Sequence, residues 1–253
     1  MKTIIVDSHN EVLPYWFEEY LLHKRPLVVV RIDQHHDMNP ECPVLPAREG
    51  RQLFDYVKKI MPHISEYAKR KLNEGNFTCP AFHYGIVGAL YHLNPRVDKI
   101  DAYGRVLNGE FRDSPKTKKK SDVNGWKRTD LIVWDNGLTR LRSHCGKAVP
   151  VPQSLSLEDF KRDLAEGQFP KVICLDLDGL YGMDDRGSTE DVLAKRVERV
   201  LAVLECVLSP ALACIARSQT PRAYVPPESV DCLQEIALQL VESKRIRHLS
   251  SAP

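Results

Sequence analysis

No stretch of this chain is apolar for long enough to span a membrane, and its first residues lack the layout of a signal peptide. Neither a membrane protein nor a secreted one is expected. The seven cysteines are odd in number, scattered and never spaced Cys-x-x-Cys, so nothing supports a disulfide framework or a thiolate metal site. Cys174, Cys206 and Cys214 sit inside apolar runs, as small hydrophobes do, and the expectation is a reduced, cytoplasmic chain. An excess of one charge is missing as well. Lys and Arg number 36 against 34 Asp and Glu, and a net charge of +2 gives no reason to expect a nucleic-acid or membrane partner. Gly-x-Gly-x-x-Gly, P-loop, Gly-x-Ser-x-Gly and His-Glu-x-x-His patterns are all absent, which removes the usual nucleotide, esterase and zincin readings. There is no internal repeat and no low-complexity linker.

What is present is an ordinary globular composition. The chain has 253 residues, 43% of them hydrophobic and 28% charged, enough for one large α/β domain with a proper core. Short apolar runs of strand length alternate with amphipathic segments. The strand candidates are Thr3–Val6, Leu27–Ile32, Leu131–Trp134, Val172–Leu175 and Leu212–Ala216, with Val106–Asp113 a further one. Helical spacing marks Val12–Leu22, the segment opening at Thr189 and running to Leu208, and Val230–Val241. Ser154 or Ser156 can cap a helix that follows. Residues 51–72 read as two short helices divided by Pro62, and Phe77–Leu93 as a buried helix. The alternation argues for a three-layer αβα domain with a mostly parallel central sheet, spanning residues 1–253, with a lysine-rich loop insertion around 108–128. The basic tail from Lys244 is expected to fray.

The chemistry gathers where strands end. Leu27–Ile32 is an apolar run interrupted only by Arg31, and it passes abruptly into Asp33, His35, His36 and Asp37. In open α/β sheets that carboxyl edge is where ligands bind. Alternation along an extended segment would turn Asp33, His35 and Asp37 to one side and His36 to the other. A single acid there would be a helix cap; three acid or imidazole groups in five residues favour a metal. Val6 runs in the same way into Asp7, Ser8 and His9, and Leu175 into Asp176 and Asp178. Two carboxylates so close repel unless they are protonated or bridged by a cation. Collected, the strand ends supply His9, Asp33, His35, Asp37, Asp176 and Asp178. Four carboxylates among them are balanced by two divalent cations, and an oxygen-rich set favours manganese over a thiolate-loving ion. Such a pair, about 3.5–4 Å apart, can share a water and hold it as hydroxide. The polar end of the last strand, Arg217-Ser218-Gln219-Thr220-Pro221, lies where a site would be.

Asp-x-His after the first strand, Asp33-x-His35-x-Asp37 after the second and Asp176-x-Asp178 later resemble the ureohydrolase fold of arginases and agmatinases. VDSHNEVLPYW, RIDQHHDMN and LDLDGL are closer to a branch that includes the peptide arginases, which convert arginine residues of ribosomally made precursor peptides to ornithine and urea. The resemblance runs from about Ile4 to Ser218 and is specific in the three motifs only. It implies two manganese ions held by His9, Asp33, His35, Asp37, Asp176 and Asp178, a cytoplasmic enzyme and an arginine-containing precursor peptide as partner. Asp37 would also hydrogen-bond the bridging hydroxide that attacks the guanidinium carbon, and His83 would shuttle a proton, because Gly75-Asn76-Phe77 to His83 is similar to the acid–base loop of arginases.

The departures are specific. Arginases place a guanidinium-binding Glu just past a late strand, where this chain has Arg217-Ser218-Gln219-Thr220. Glu11, two residues after His9, is the first candidate for that acid, with a plain helix-turn acid as its alternative, and Ser218 is the second substrate contact. Glu228, Asp184 and Asp185 rank behind. Other functions remain open: a ureohydrolase of free arginine or agmatine, a deacetylase of the same fold, and a non-catalytic peptide-binding module to which the lysines at 116–120 would contribute.

Overall fold

The computed structural model describes residues 1–39, 53–112, 131–133, 139–142, 148–150, 152–187 and 189–250. Its strands are β1 (Lys2–Val6), β2 (Leu27–Ile32), β3 (Val87–Asn94), β4 (Lys99–Tyr103), β5 (Arg105–Leu107), β6 (Glu110–Arg112), β7 (Leu131–Val133), β8 (Thr139–Arg142), β9 (Ala148–Pro150), β10 (Pro152–Leu155), β11 (Lys171–Asp176) and β12 (Leu212–Ala216). The helices are α1 (Leu13–His23), α2 (Leu53–Lys71), α3 (Thr78–His83), α4 (Leu157–Ala165), α5 (Leu177–Leu180), α6 (Glu190–Glu205) and α7 (Val230–Ser250). Seven strands form one sheet in the order β1-β12-β11-β2-β3-β4-β10. The four pairings from β1 across to β3 are parallel, and the last two, to β4 and β10, are antiparallel.

Strand β2 shows why the sheet needs cover on both sides. All six of its residues are buried, and they alternate between two cores. Leu27 and Val29 pack with Trp16, Phe17, Val57 and Phe82 from α1, α2 and α3. Val28, Val30 and Ile32 pack with Phe160, Val203, Leu204 and Leu233 from α4, α6 and α7. The domain is therefore a three-layer αβα fold with a mostly parallel sheet. Each large apolar side chain withdrawn from water in this way contributes about 1.5–3 kcal/mol. From β2 the chain crosses to β3 on one side, and from β11 to β12 on the other. The switch point lies between β2 and β11, the place where open α/β sheets leave a crevice at the strands' carboxyl ends.

Four local expectations change. Residues 53–71 form one helix, not two, because Pro62 lies on its exposed face, where a carbonyl left without its donor can turn to water. Phe77–Leu93 is not a helix throughout. Gly85, at φ 68°, ends α3 after Ile86 N–H has closed on Ala81 O at 2.9 Å, and the remainder is drawn into the sheet between β2 and β4. The single strand expected at 106–113 is the hairpin β5–β6, turned at Asn108-Gly109, both with positive φ. Helix α7 continues to Ser250, beyond the end expected for it. Of the two candidate caps near residue 155, Ser156 caps α4, while Ser154 lies in β10 and donates to Asp101 at 2.7 Å. The loop expected around 108–128 lies outside the described residues from 113 onward.

One buried ion pair ties the antiparallel edge to its covering helix. Arg105 donates twice to Asp163 of α4, at 2.6 and 2.7 Å, and Tyr91 of β3 adds a third donor at 2.9 Å. Asp163 is fully buried. Asp163→Ala leaves Arg105 uncompensated, and a loss of about 3–5 kcal/mol in denaturant unfolding is expected. A loss below about 1 kcal/mol would show the pair to be a surface-like contact.

Candidate metal centre

The three sequence motifs meet at the carboxyl ends of β1, β2 and β11. His9 opens a short 3₁₀ turn after β1, Asp33 follows β2 directly, and Asp176 is the last residue of β11. Simple strand alternation is not what aligns them. Asp37 turns back in the left-handed region at φ 46°, a conformation Asp tolerates. Asp178 stands in the first turn of α5, which Asp176 caps by accepting the Asp178 N–H at 3.2 Å.

All six expected ligands are brought together. His9 Nδ1 lies 3.1 Å from Asp33 Oδ2, 2.9 Å from Asp37 Oδ2 and 3.1 Å from Asp176 Oδ2. His35 Nδ1 lies 2.8 Å from Asp178 Oδ2 and 3.9 Å from Asp33 Oδ1. Two overlapping triads result, His9–Asp33–Asp176 and Asp33–His35–Asp178, each with its ligand atoms within 4.8 Å of one another and with Asp33 common to both. Neither His9 Nδ1 nor Asp33 Oδ2 has a hydrogen bond of acceptable geometry, although both are buried. Once the imidazole gives up its proton, these lone pairs converge on one point, which is what a cation requires. The donor set fits a divalent metal.

The outer lone pairs are already committed. Asp33 Oδ1 accepts from the His35 N–H at 2.6 Å, Asp178 Oδ1 from the Gln34 N–H at 3.2 Å, and Asp176 from the Ser218 hydroxyl at 2.6 Å. His9 Nε2 faces Cys174 Sγ at 3.1 Å, which leaves Nδ1 for the cluster. His92 Nε2 reaches the Asp33 carbonyl at 3.0 Å, and since a carbonyl only accepts, that nitrogen carries the proton. Gly179 has a packing reason: a Cβ there would stand 3.1 Å from the Asp33 backbone.

The protonation pattern follows from this crowding. Burial, with Asp37 and Asp178 close by, raises the Asp33 carboxyl well above its usual range. Burial and Asp176 raise Asp178. Burial opposes ionisation of Asp37 too, but His9 and Arg31 outweigh it and hold that carboxyl below the usual range. Burial disfavours a charged His9, yet Cys174 and the three carboxylates raise the imidazole well above its ordinary value. The hydrogen bond to Asp178 raises His35. Cys174, buried but facing Cys214, His9 and Arg31, is brought down to about 5. Arg31 is the buried cation on this side, fully enclosed, donating to His36 O and Thr78 Oγ1 and lying over Phe77.

The other expected residues divide. His36 points away from the cluster, toward Tyr103 (2.8 Å) and His92. His36, His92 and Asp101 form a third cluster, but Lys99 Nζ at 2.8 Å from Asp101 and the nearby Arg31 already supply its positive charge. Burial brings His92 down to about 3. Ser218 is at the cluster, on Asp176. Glu11 is not: its carboxylate accepts from the Asp7 and Ser8 N–H groups and pairs with Lys69, in a separate groove. Glu228 pairs with Arg186 on the surface, Asp184 with Arg96, and Asp185 with Arg196. His83 is the last residue of α3, and its side chain lies outside the described residues.

The cluster floors an open cleft of about 870 Å³ lined also by Met38, Glu74, Tyr103, Arg222 and Tyr224. Sequence reasoning missed Cys174, Gly179, Glu74 and Tyr224. Of these only Glu74 had a signal, its place beside the Gly75-Asn76 turn. No protein-family model matches this chain, and no curated protein matches it.

Two tests follow. His9, His35, Asp33 and Asp178 all hold protons more readily than their isolated counterparts, with Asp37, Asp176, Cys174 and Ser218 packed around them. A cation must displace those protons, so its affinity should rise as pH rises through and above the ordinary imidazole range, with protons released on binding. Indicator-dye titration with manganese measures this; pH-independent binding would contradict it. Gly179→Ala removes no ligand but pushes on Asp33, and is expected to weaken manganese binding about tenfold. Unchanged affinity by calorimetry would show that Asp33 can give way freely.

Proposed function

We propose that this protein is a hydrolase of arginine residues in a ribosomally made peptide, dependent on two manganese ions and releasing urea and ornithine. One observation carries the reading: two triads sharing Asp33, His9–Asp33–Asp176 and Asp33–His35–Asp178, with Asp37 Oδ2 2.9 Å from His9 Nδ1 beside the first. That set matches, residue for residue, what the resemblance to ureohydrolases implies, and its oxygen-rich character favours manganese. The three-layer fold and the cluster's place at the switch point agree with it.

A pair of divalent cations bound here would lower the pKa of a water molecule and make a nucleophile available near neutral pH. The chain's own residues do the remainder. Asp33 is fixed by the His35 N–H and, through its carbonyl, by His92. Asp176 is fixed by Ser218. Asp37, held ionised by His9 and Arg31, can accept a hydrogen bond from the attacking water and orient it. The cleft above is open and larger than one side chain needs, which suits an arginine presented on a peptide. One observation favours a second reading, hydrolysis of free arginine. Arg222 lines the same cleft, its guanidinium 4.5 Å over the Tyr224 ring, where it can meet an α-carboxylate that a peptide lacks.

Incubation of the manganese-loaded chain with arginine peptides, free arginine, agmatine and an acetyl-lysine peptide decides among these. The expected result is loss of the mass of cyanamide per peptidyl arginine with one equivalent of urea. Urea from free arginine alone would select the second reading, and acetate alone a deacetylase. Asp37→Ala is expected to lower turnover by more than about a hundredfold. Its melting temperature without metal should fall, since the carboxylate that His9 and Arg31 hold ionised is gone, while the folded chain persists. Full activity in that variant would refute the role given to Asp37.

A further inference from the structure

The site has no place yet for the substrate's positive end. Among the described residues lining the cleft, Glu74 is the one acid outside the metal cluster. It sits at the tip of a tight turn that its neighbours fix from both ends. Asn73 accepts from the Gly75 N–H at 3.0 Å, and Asn76 accepts from the Asn73 N–H at 3.0 Å. The Gly75 carbonyl accepts from the Asn39 N–H at 2.9 Å, so the turn is fastened to the loop that carries Asp33, His35 and Asp37. Glu74 Oε1 accepts the Tyr224 hydroxyl at 2.7 Å, and the Tyr224 ring stands edge-on to His35, 5.5 Å between centroids. Glu74 Oε2, shielded from solvent, has no donor among the described residues. A buried carboxylate oxygen left without a donor costs free energy that a cationic N–H donor in the cleft would recover.

We propose that Glu74, oriented by Tyr224, is the acid that receives the guanidinium of the substrate, in place of the acid that this chain lacks after β12. The inference rests on the hydrolase reading for its substrate class. It rests on Glu74 Oε2 and the shared cleft for its residue. A planar guanidinium presents paired N–H groups that suit a carboxylate with one oxygen free and the other pinned. Tyr224 is a positioning residue: it holds Oε1, so that Oε2 is left for the ligand.

The test uses the full chain loaded with manganese and N-acetyl-arginine methylamide and agmatine as probes. Glu74→Gln should weaken binding of both probes about 30-fold or more while metal content stays at the wild-type value. Under turnover the loss should fall on KM more than on kcat. Tyr224→Phe should give a smaller loss of the same kind, and Glu74→Asp should recover part of it. If Glu74→Gln binds the probes as the wild type does, or if it loses metal, the proposal fails. It fails as well if the wild type binds neither probe. Wild-type binding that depends on Glu74 with no urea released would uphold Glu74 and overturn the hydrolase reading; urea release indifferent to Glu74→Gln would do the reverse.

Discussion

Mutual repulsion among four buried carboxylates is the constraint on which this architecture depends. Asp33, Asp37, Asp176 and Asp178 are each less than a tenth exposed and stand within reach of the same two imidazoles. Arg31 supplies one buried positive charge, and the histidines supply more only by taking up protons. A protein that needed stability alone would have apolar side chains here, as β2 has apart from Arg31 and β11 has from Val172 to Leu175. The fold instead holds the acids in place. It caps α5 with Asp176, turns Asp37 into the left-handed region, leaves Gly179 without a side chain against Asp33, and sets Ser218, also at positive φ, under Asp176. The cap stabilises its helix, while the two positive-φ side chains and the glycine are local costs accepted to keep lone pairs converging.

The sheet explains how so few residues accomplish it. Parallel strands deliver their carboxyl ends to one edge, and the switch between β2 and β11 opens a crevice there. His9 arrives from the far edge strand β1 because the 3₁₀ turn after it folds back over β12, so its ring reaches Cys174 of β11. The antiparallel strands β3 and β4 contribute no ligand but brace the loop. His92 and Asn94 hold the Asp33 and Gln34 carbonyls, and His36 is drawn off toward Tyr103. Placing that histidine beside Tyr103 keeps it apart from the four clustered carboxylates.

Much of this was legible in the chain. Apolar runs such as Leu27–Ile32, Val172–Leu175 and Leu212–Ala216 announce buried strands because burial on both faces leaves little polar alternation to confuse them. Acid and imidazole clusters at their ends announce the site because a loop rarely needs so many. Alternation on an extended strand does not account for their convergence: turns at Asp37 and Leu177 do the aligning, and sequence spacing does not reveal turns made by Asp. Helical signals were legible where capping or periodicity was strong, as at Ser156. They misled where a tertiary partner decided, as in Val87–Asn94, which pairs with β2 and β4 despite its helical composition. Glu11 misled for a similar reason: proximity to His9 in sequence suggested a shared site, but its carboxylate is consumed by the backbone of its own turn. Glu74 and Tyr224, 150 positions apart, meet only in three dimensions.

The central claim is that the six side chains hold a pair of cations through shared carboxylates. Crystals grown with manganese, with diffraction recorded across the manganese absorption edge, test it most directly. Two anomalous peaks are expected between His9 and His35, both touching Asp33, with Asp178 on the second alone. A single peak elsewhere, or none with the carboxylates closed on one another through protons, would contradict the account.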